Sequence, residues 1–312
     1  MGGKHDHAGD AGIGRAGDHR GRLWIAFAIT ASIVVAQAVG SVVTGSLALL
    51  TDTAHAVVDA SGLLVALVAS TLVLRPADAR RTWGFRRIEV IAALAQATLL
   101  LGVGTYAAIE GVRRLSDPPD VPGTELLVFG IAGLVANIAA IVILSSARRA
   151  NVNMRAAFLE VLNDALGSLG VIVAAIVIAT TGFRQADAIA GLLIAALIVP
   201  RAVLLMRDTF RVLMEFAPEG LDLDEVRAHI LALEHVRDVH DVHASTVATG
   251  LPTLTAHVVV EDSCFTDGHA AEVLREVKEC VAQHFEVSVH HSTFQVETGH
   301  IRDHEAASVT HA

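Results

Sequence analysis

Residues 46–73 read SLALLTDTAHAVVDASGLLVALVASTLV, an apolar run that is interrupted by Asp52, His55 and Asp59. About 20 apolar residues are enough for a helix to cross a bilayer. An ionisable residue inside such a helix costs about 2.5–3.5 kcal/mol on translocon scales, so such residues tend to be functional. Residues i and i+4 project from the same face of a helix, which places His55 beside Asp59. This stretch therefore predicts a membrane-spanning helix that carries a polar site.

Five further apolar stretches define the rest of a membrane region. Hydrophobic residues make up 53% of the 312 residues and charged residues only 18%, and the long apolar runs all lie before residue 215. The first run is too long for a signal-peptide core and lacks a small-residue cleavage site. The six expected spans cover about residues 23–43, 46–73, 88–112, 124–147, 156–181 and 188–212.

The distribution of Lys and Arg predicts the orientation of these spans. Fourteen of these residues flank the spans on one side, and only Arg113, Arg114 and Arg184 lie on the other. Cytoplasmic loops carry the excess of positive charge, so both termini are expected in the cytoplasm of a multi-pass inner (plasma) membrane protein. Asp187, near the outer end of the sixth span, is interpreted as a helix cap or an interfacial group.

The remainder of the chain reads as a soluble domain. Capping and strand patterns predict the order αββαβ, a small α+β domain of the ferredoxin-like kind. From residue 217 onward there are 17 Asp and Glu against 5 Lys and Arg, which leaves no basic surface for nucleic acid. The expected organisation is a disordered tail, a six-helix transmembrane domain, a cytosolic domain and a second disordered tail, over residues 1–20, 21–214, 215–298 and 299–312.

A second span repeats the polar pattern of the first stretch. HAVVDASG, which begins at His55, aligns with EVLNDALG, which begins at Glu160. A single pair of this kind could be packed and hydrogen-bonded, but its recurrence in two spans favours metal coordination. Four nitrogen and oxygen ligands suit tetrahedral Zn²⁺, whereas Cu(I) would prefer Cys or Met. The candidate ligands are His55, Asp59, Glu160 and Asp164, with Asp52 as a further site residue.

Ligands of this kind couple metal to protons. Metal binds their deprotonated forms, so loading the site releases protons and protonation releases metal. Alternating access around a site at membrane depth would then couple metal efflux to an inward proton gradient.

Four stretches together resemble the cation diffusion facilitator family. GSLALLTDTAHAVVD, from Gly45, resembles its second-span signature, and WGFRRIE, from Trp83, resembles the start of its third span. RAAF from Arg155, continuing to DALGS from Asp164, resembles the fifth span, and HSTFQVE from His291 resembles the last strand. The resemblance extends in order over about residues 20–298.

This resemblance implies proton-coupled export of Zn²⁺ and related ions by a homodimer, with a cytosolic domain that binds metal and stabilises the dimer. The transport ligands carried over are the same four residues. Glu160 departs from the family, because zinc-selective members usually have His at this position. Transport of Cd²⁺, Co²⁺, Fe²⁺ or Mn²⁺ therefore stays open beside that of Zn²⁺.

The resemblance also implies roles outside the membrane. Of the 16 His residues, 12 lie beyond residue 217. A regulatory metal would be held by a set drawn from His240, His257, His291 and Glu297. Arg87 and Glu215 would pair at the junction of membrane and cytosol.

Two other functions are each compatible with part of the sequence. A membrane-anchored metal sensor or assembly platform would use the cytosolic histidines, but it needs no ligands at membrane depth. A membrane metallohydrolase would need an HExxH-like motif, which this sequence lacks. No enzymatic activity is expected, and the expected partners are divalent metal ions, protons, the lipid bilayer and a second copy of the chain.

Overall fold

The structure is a computed structural model, which describes residues 28, 31–73, 75–145 and 152–304. The tail expected over residues 1–20 lies outside the described residues. The described helices are α1 (Ala31–Thr44), α2 (Leu47–Val73), α3 (Ile88–Ser116), α4 (Gly123–Ser145), α5 (Val152–Thr181), α6 (Gln185–Leu213), α7 (Leu223–Leu231), α8 (Cys264–Asp267), α9 (His269–Gln283) and α10 (Gly299–Arg302). The strands are β1 (Val236–Ala248), β2 (Leu251–Val260) and β3 (His291–Thr298).

The first six helices form the predicted helical membrane region. Within the described ranges, four stretches are long and apolar enough to cross a bilayer: Ile88–Ser116, Gly123–Ile143, Val161–Thr181 and Gln185–Leu213. The described part of α1 is a shorter apolar helix, and α2 has 27 residues that include the polar positions of the opening stretch. The fold class predicted from the sequence is confirmed.

The outward face of α4 shows how these helices meet their surroundings. Val128, Ile131, Val135, Ile138 and Val142 are all exposed and recur at alternating spacings of three and four residues. In a water-soluble protein such a stripe would be buried, because it is the apolar face of a 3.6-residue period. An exposed apolar stripe of this length is typical of a lipid-facing surface.

The chain divides into two compact units. Among the described residues, the first comprises those up to 67 together with 93–206, and the second comprises 68–92 together with 207–304. In the first unit α4 packs along α5, and the apolar core draws on four helices through Leu49, Leu100, Leu126 and Val171.

A buried carboxylate fixes the start of α2 in this unit. Asp187, in the first turn of α6, accepts hydrogen bonds from the backbone N–H groups of Leu47 at 2.7 Å and Ala48 at 3.3 Å, and from the Ser46 hydroxyl. The guanidinium of Arg114 lies 3.9 Å from the same carboxylate. The cap interpreted from the sequence is therefore made across helices, since Asp187 caps α2 rather than its own helix.

In the second unit a three-stranded sheet packs against α7 and α9. The strand order is β1-β2-β3, with β1 and β2 antiparallel and β2 and β3 parallel. The core between sheet and helices includes Val226, Ile230, Val277, Val281 and Phe294. This is the predicted αββαβ arrangement, in which α7 begins at the N-cap Asp222.

Local geometry sets several boundaries in the second unit. The last strand begins at His291, because the backbone N–H of Val289 donates to the carbonyl of Val281 at the end of α9 instead of joining the sheet. The short helix α8 precedes α9, and Gly268, with a φ of 93°, separates the two helices. Residues 299–302 form the short helix α10, within the stretch assigned to a disordered tail.

Candidate metal sites

Three of the predicted transport ligands converge within the first unit. His55 Nε2 lies 3.3 Å from Asp59 Oδ2 and 3.8 Å from Asp164 Oδ1. All three side chains are buried, and one ligand atom from each lies within 4.8 Å of the others. One imidazole and two carboxylates at these separations form a set that could hold a divalent cation.

Helix geometry accounts for this convergence. His55 and Asp59 are one turn apart on α2, so they share a face, and Asp164 is on α5. The fifth helix begins at Val152, four residues before the expected start at residue 156. Glu160 lies on this helix, but its side chain falls outside the described part of the structure.

The two oxygens of the Asp59 carboxylate have different neighbours. Gln96 on α3 donates a hydrogen bond from Nε2 to Oδ1 at 3.2 Å. Arg201 on α6 places Nη1 3.5 Å from Oδ2, which is also the oxygen nearest His55. Neither neighbour was predicted from the sequence, although each is a polar residue within an apolar run.

The glycine that ends each repeated motif makes room for a polar side chain. A Cβ at Gly62 would overlap the side-chain amide of Gln96, and a Cβ at Gly167 would overlap the carboxylate of Asp52. Both glycines follow a ligand aspartate by three residues. Each repeat of the motif therefore supplies a candidate ligand and, three residues later, a glycine whose missing side chain leaves space for a polar group of another helix.

Asp52 belongs to a separate polar network beside the cluster. Gln37 on α1 donates to Asp52 Oδ2 at 3.1 Å, and the Ser168 hydroxyl on α5 donates to the same oxygen at 3.4 Å. Asn137 on α4 donates to Ser168 Oγ at 3.3 Å. All four side chains are buried, so this network joins α2 to three neighbouring helices and fixes the helix that carries His55.

A second cluster lies on the sheet of the other unit. His240 on β1 pairs directly with His257 on β2, and their rings are 5.1 Å apart. Glu297 on β3 places Oε1 3.4 Å from His240 Nε2 and Oε2 3.6 Å from His257 Nδ1. Glu297 is only 1% exposed, and Gln295 donates a hydrogen bond to its Oε2 at 2.8 Å. This donor set suits a zinc-type ion.

The structure changes the membership of this second set. His291 was predicted to join it, but the last strand carries His291 at its opposite end, with its ring 4.7 Å from that of Trp83. Asp241, which was not predicted, approaches instead, with Oδ2 4.0 Å from His257 Nε2. The strand register shifts between His240 and His243, and Asp241 has a φ of 52° there. Such a bulge reorients a side chain in a way that strand alternation does not predict.

Comparisons with known proteins agree with this architecture. The family model for the cation efflux transmembrane domain matches residues 23–214, and that for the cytoplasmic domain of cation efflux proteins matches residues 218–299. The chain belongs to the cation efflux family. The resemblance found in the sequence is thereby confirmed.

Individual members of the cation efflux family match along most of their length. The metal cation efflux system protein CzcD of Cupriavidus metallidurans is 38% identical over 300 residues, 95% of this chain and 93% of that protein. The zinc transporter ZitB of Yersinia pseudotuberculosis is 39% identical over 282 residues, covering 89% and 88%. A cadmium, cobalt and zinc/H(+)-K(+) antiporter of Bacillus subtilis is 34% identical over 278 residues, covering 88% of each chain.

Two further features of this cation efflux protein lie in the second unit. Arg87 Nη2 and Glu215 Oε1, the predicted junction pair, are 2.9 Å apart within one chain, and both side chains are partly exposed. Cys264 and Cys280 are free and buried, and burial raises the pKa of both thiols. Raised values keep these thiols protonated at neutral pH, which disfavours them as metal ligands.

Proposed function

We propose that the protein exports divalent transition-metal cations, Zn²⁺ foremost, from the cytoplasm in exchange for protons. The observation that carries this proposal is the buried cluster of His55, Asp59 and Asp164 within a helical membrane region. Ionisable groups are expensive at this depth, so three of them converging on one point favour a cation pathway over packing. The printed functions of the relatives, metal cation efflux, zinc transport and cadmium, cobalt and zinc antiport, support the same substrate class.

The ligands of the cluster support Zn²⁺ as a substrate and are compatible with other divalent ions. Imidazole favours zinc and its neighbours, while carboxylates also suit harder ions such as Mn²⁺. The described cluster has one nitrogen ligand and two carboxylates, and Glu160 would add a third carboxylate from the same helix as Asp164. We therefore propose Zn²⁺ as the main substrate, with Cd²⁺, Co²⁺, Fe²⁺ and Mn²⁺ as candidates for slower transport.

Proton exchange follows from the chemistry of the same ligands. A cation binds neutral imidazole and ionised carboxylates, so each arriving ion releases the protons that the empty site holds. A pH gradient directed inward would then reload the cluster with protons from the outside and drive the cation out. The side chains move protons at the atoms that face one another, His55 Nε2, Asp59 Oδ2 and Asp164 Oδ1.

We assign a regulatory role to the cytosolic cluster. His240, His257 and Glu297 come from three different strands, so an ion bound there would hold the sheet together at that point. We propose that this domain supports a homodimer and that both termini lie in the cytoplasm of a bacterial inner membrane. The excess of Lys and Arg on one side of the spans supports that orientation.

Transport in sealed proteoliposomes tests the proposal. Purified protein is reconstituted with a pH-sensitive dye, and Zn²⁺ influx and proton efflux are recorded with and without an imposed pH gradient. We expect Zn²⁺ flux that rises with the gradient and is accompanied by counterflow of protons. Metal binding without flux would favour a sensor, and flux that ignores the gradient would disprove exchange.

The proposed metal selectivity of transport is tested by substitutions of Glu160. Replacing this carboxylate by imidazole in Glu160→His restores a second nitrogen ligand, which favours zinc over harder ions. We expect Zn²⁺ flux to be retained, the ratio of Zn²⁺ to Mn²⁺ flux to rise about threefold or more, and the pH optimum to shift. Identical ratios and rates in wild type, Glu160→His and Glu160→Ala would show that Glu160 is not a ligand.

A further inference from the structure

Arg201 is a cation in the middle of an apolar helix. It is the seventeenth residue of α6, which runs from Gln185 to Leu213, and it follows Pro200 directly. An arginine within a membrane helix is costly unless it is paired or reaches water, and it does not lose its proton. The contacts of Arg201 must therefore offset the cost of placing a charge in this helix.

One contact of Arg201 is with the transport cluster. Arg201 Nη1 lies 3.5 Å from Asp59 Oδ2, and His55 Nε2 lies 3.3 Å from the same oxygen. The other oxygen of Asp59 receives the hydrogen bond from Gln96. One carboxylate oxygen is thus fixed by an amide, and the one that faces the cluster is shared by an imidazole and a guanidinium.

We propose that Arg201 is a tethered counter-cation for Asp59, which the divalent substrate must displace in order to bind and which promotes release by returning. This inference rests on the proposed transport function of the cluster. A guanidinium and a divalent ion repel each other at these distances, so they compete for Asp59 Oδ2. Arg201 then weakens substrate binding and accelerates turnover.

The surroundings of Arg201 leave it room to move. Its side chain is 38% exposed, whereas that of Asp59 is only 6% exposed. A long side chain of this kind can keep its stem on the helix while its charged end changes partner. Pro200 has no N–H to donate to the carbonyl of Ala196, and a proline at such a position bends or loosens a helix.

The test measures Zn²⁺ flux against Zn²⁺ concentration in proteoliposomes for wild type, Arg201→Gln and Arg201→Lys. We expect Arg201→Gln to lower KM about tenfold, the lower end of what a cation 4–6 Å away does to proton binding at a carboxylate. We expect its maximal rate to fall as well, because release loses its competing cation. Arg201→Lys keeps the charge and should stay within about threefold of wild type in both values.

Two controls separate this role from a structural one. Arg207→Gln removes an exposed arginine later on α6 and should leave KM unchanged. Zn²⁺ binding to detergent-solubilised Arg201→Gln, measured by calorimetry in a His240→Ala background, should be tighter than that of the parent with an unchanged elution profile. A purely structural arginine would instead give weaker binding, or misfolded protein in both Arg201 variants.

The outcomes also separate this inference from the proposed function. Transport of Zn²⁺ by wild type but not by Asp59→Ala would support the transport site. If Arg201→Gln then has an unchanged or higher KM, the counter-cation role of Arg201 is disproved. If wild type shows no Zn²⁺ flux, the proposed function fails and the inference fails with it.

Discussion

The membrane cluster and the cytosolic cluster use the same ligand types in different frameworks. His55, Asp59 and Asp164 come from two helices, whereas His240, His257 and Glu297 come from three strands. In each cluster a glutamine donates a hydrogen bond to a carboxylate, Gln96 to Asp59 and Gln295 to Glu297. Hydrogen bonds of this kind orient metal ligands and tune their affinity.

The clusters differ in the charge of their next neighbours. Beside the membrane cluster lies the guanidinium of Arg201, and beside the cytosolic cluster lies a second carboxylate, that of Asp241. A neighbouring cation opposes the binding of a divalent ion, while a neighbouring anion favours it. The same types of donor can therefore hold an ion weakly or tightly, depending on the charge placed next to them.

Removing one carboxylate from each cluster should affect transport very differently. We expect Asp164→Ala to lower Zn²⁺ flux at least about a hundredfold, because it removes a carboxylate that faces His55 at the heart of the site. Glu297→Ala should leave flux within about threefold of wild type, because it removes a carboxylate only from the cluster that is proposed to be regulatory. Asp117→Ala, at an exposed loop position, is the control for both. Equal losses at Asp164 and Glu297 would show that the clusters do not have separate roles.

The glutamine that donates to a carboxylate in each cluster should affect only the cluster to which it belongs. We expect Gln96→Ala to raise the KM for Zn²⁺ flux about tenfold, the lower range of losses when a ligand's hydrogen-bond partner is removed. Gln295→Ala should leave that KM unchanged and weaken cytosolic Zn²⁺ binding by a similar factor, measured by calorimetry on Asp164→Ala protein. If both substitutions change the KM for flux, or both change only cytosolic Zn²⁺ binding, the two glutamines do not serve separate clusters.

The ion pair of Arg87 and Glu215 belongs to neither cluster, and only a weak effect is expected from breaking it. Arg87 and Glu215 are partly exposed, and an ion pair in such a position contributes about 0–1 kcal/mol. We expect Arg87→Glu or Glu215→Arg alone to reduce flux about twofold to fivefold with little change in thermal stability, and the double reversal to restore it. A double variant no better than the single ones would show that the pairing does not matter for transport.

Features that follow from helix periodicity were predictable from the sequence, and features that follow from strand register were not. The i, i+4 spacing placed His55 beside Asp59, and its repetition in a second span indicated the helix that brings Asp164. On the sheet, His240 and His257 lie together as expected, but His291 lies at the opposite end of its strand, because strand order and register depend on long-range pairing. The bulge that brings Asp241 near His257 has no signal in a two-residue alternation.

The neighbours of Asp59 could not be predicted from the sequence either. Gln96 and Arg201 come from α3 and α6, far from α2 in sequence, so only the packing of the helices brings them to the same carboxylate. Their polarity within apolar runs indicated that they have partners, but not which ones. Gly62 has the same limit. A glycine in a helix can indicate that another group approaches the backbone closely, but the sequence does not show that this group is Gln96.

The cap that Asp187 places on α2 bears on how the bundle can move. Its carboxylate holds the first two N–H groups of α2 and the Ser46 hydroxyl, and hydrogen bonds to a charged group contribute about 1.5–3 kcal/mol each. Sliding α2 past α6 would break several of them at once, whereas rotation about that end would keep them. The end near Asp187 is therefore a natural pivot, and the lever arm of α2 lengthens from there toward His55 and beyond, so a small tilt at the cap becomes a larger displacement at the ligands.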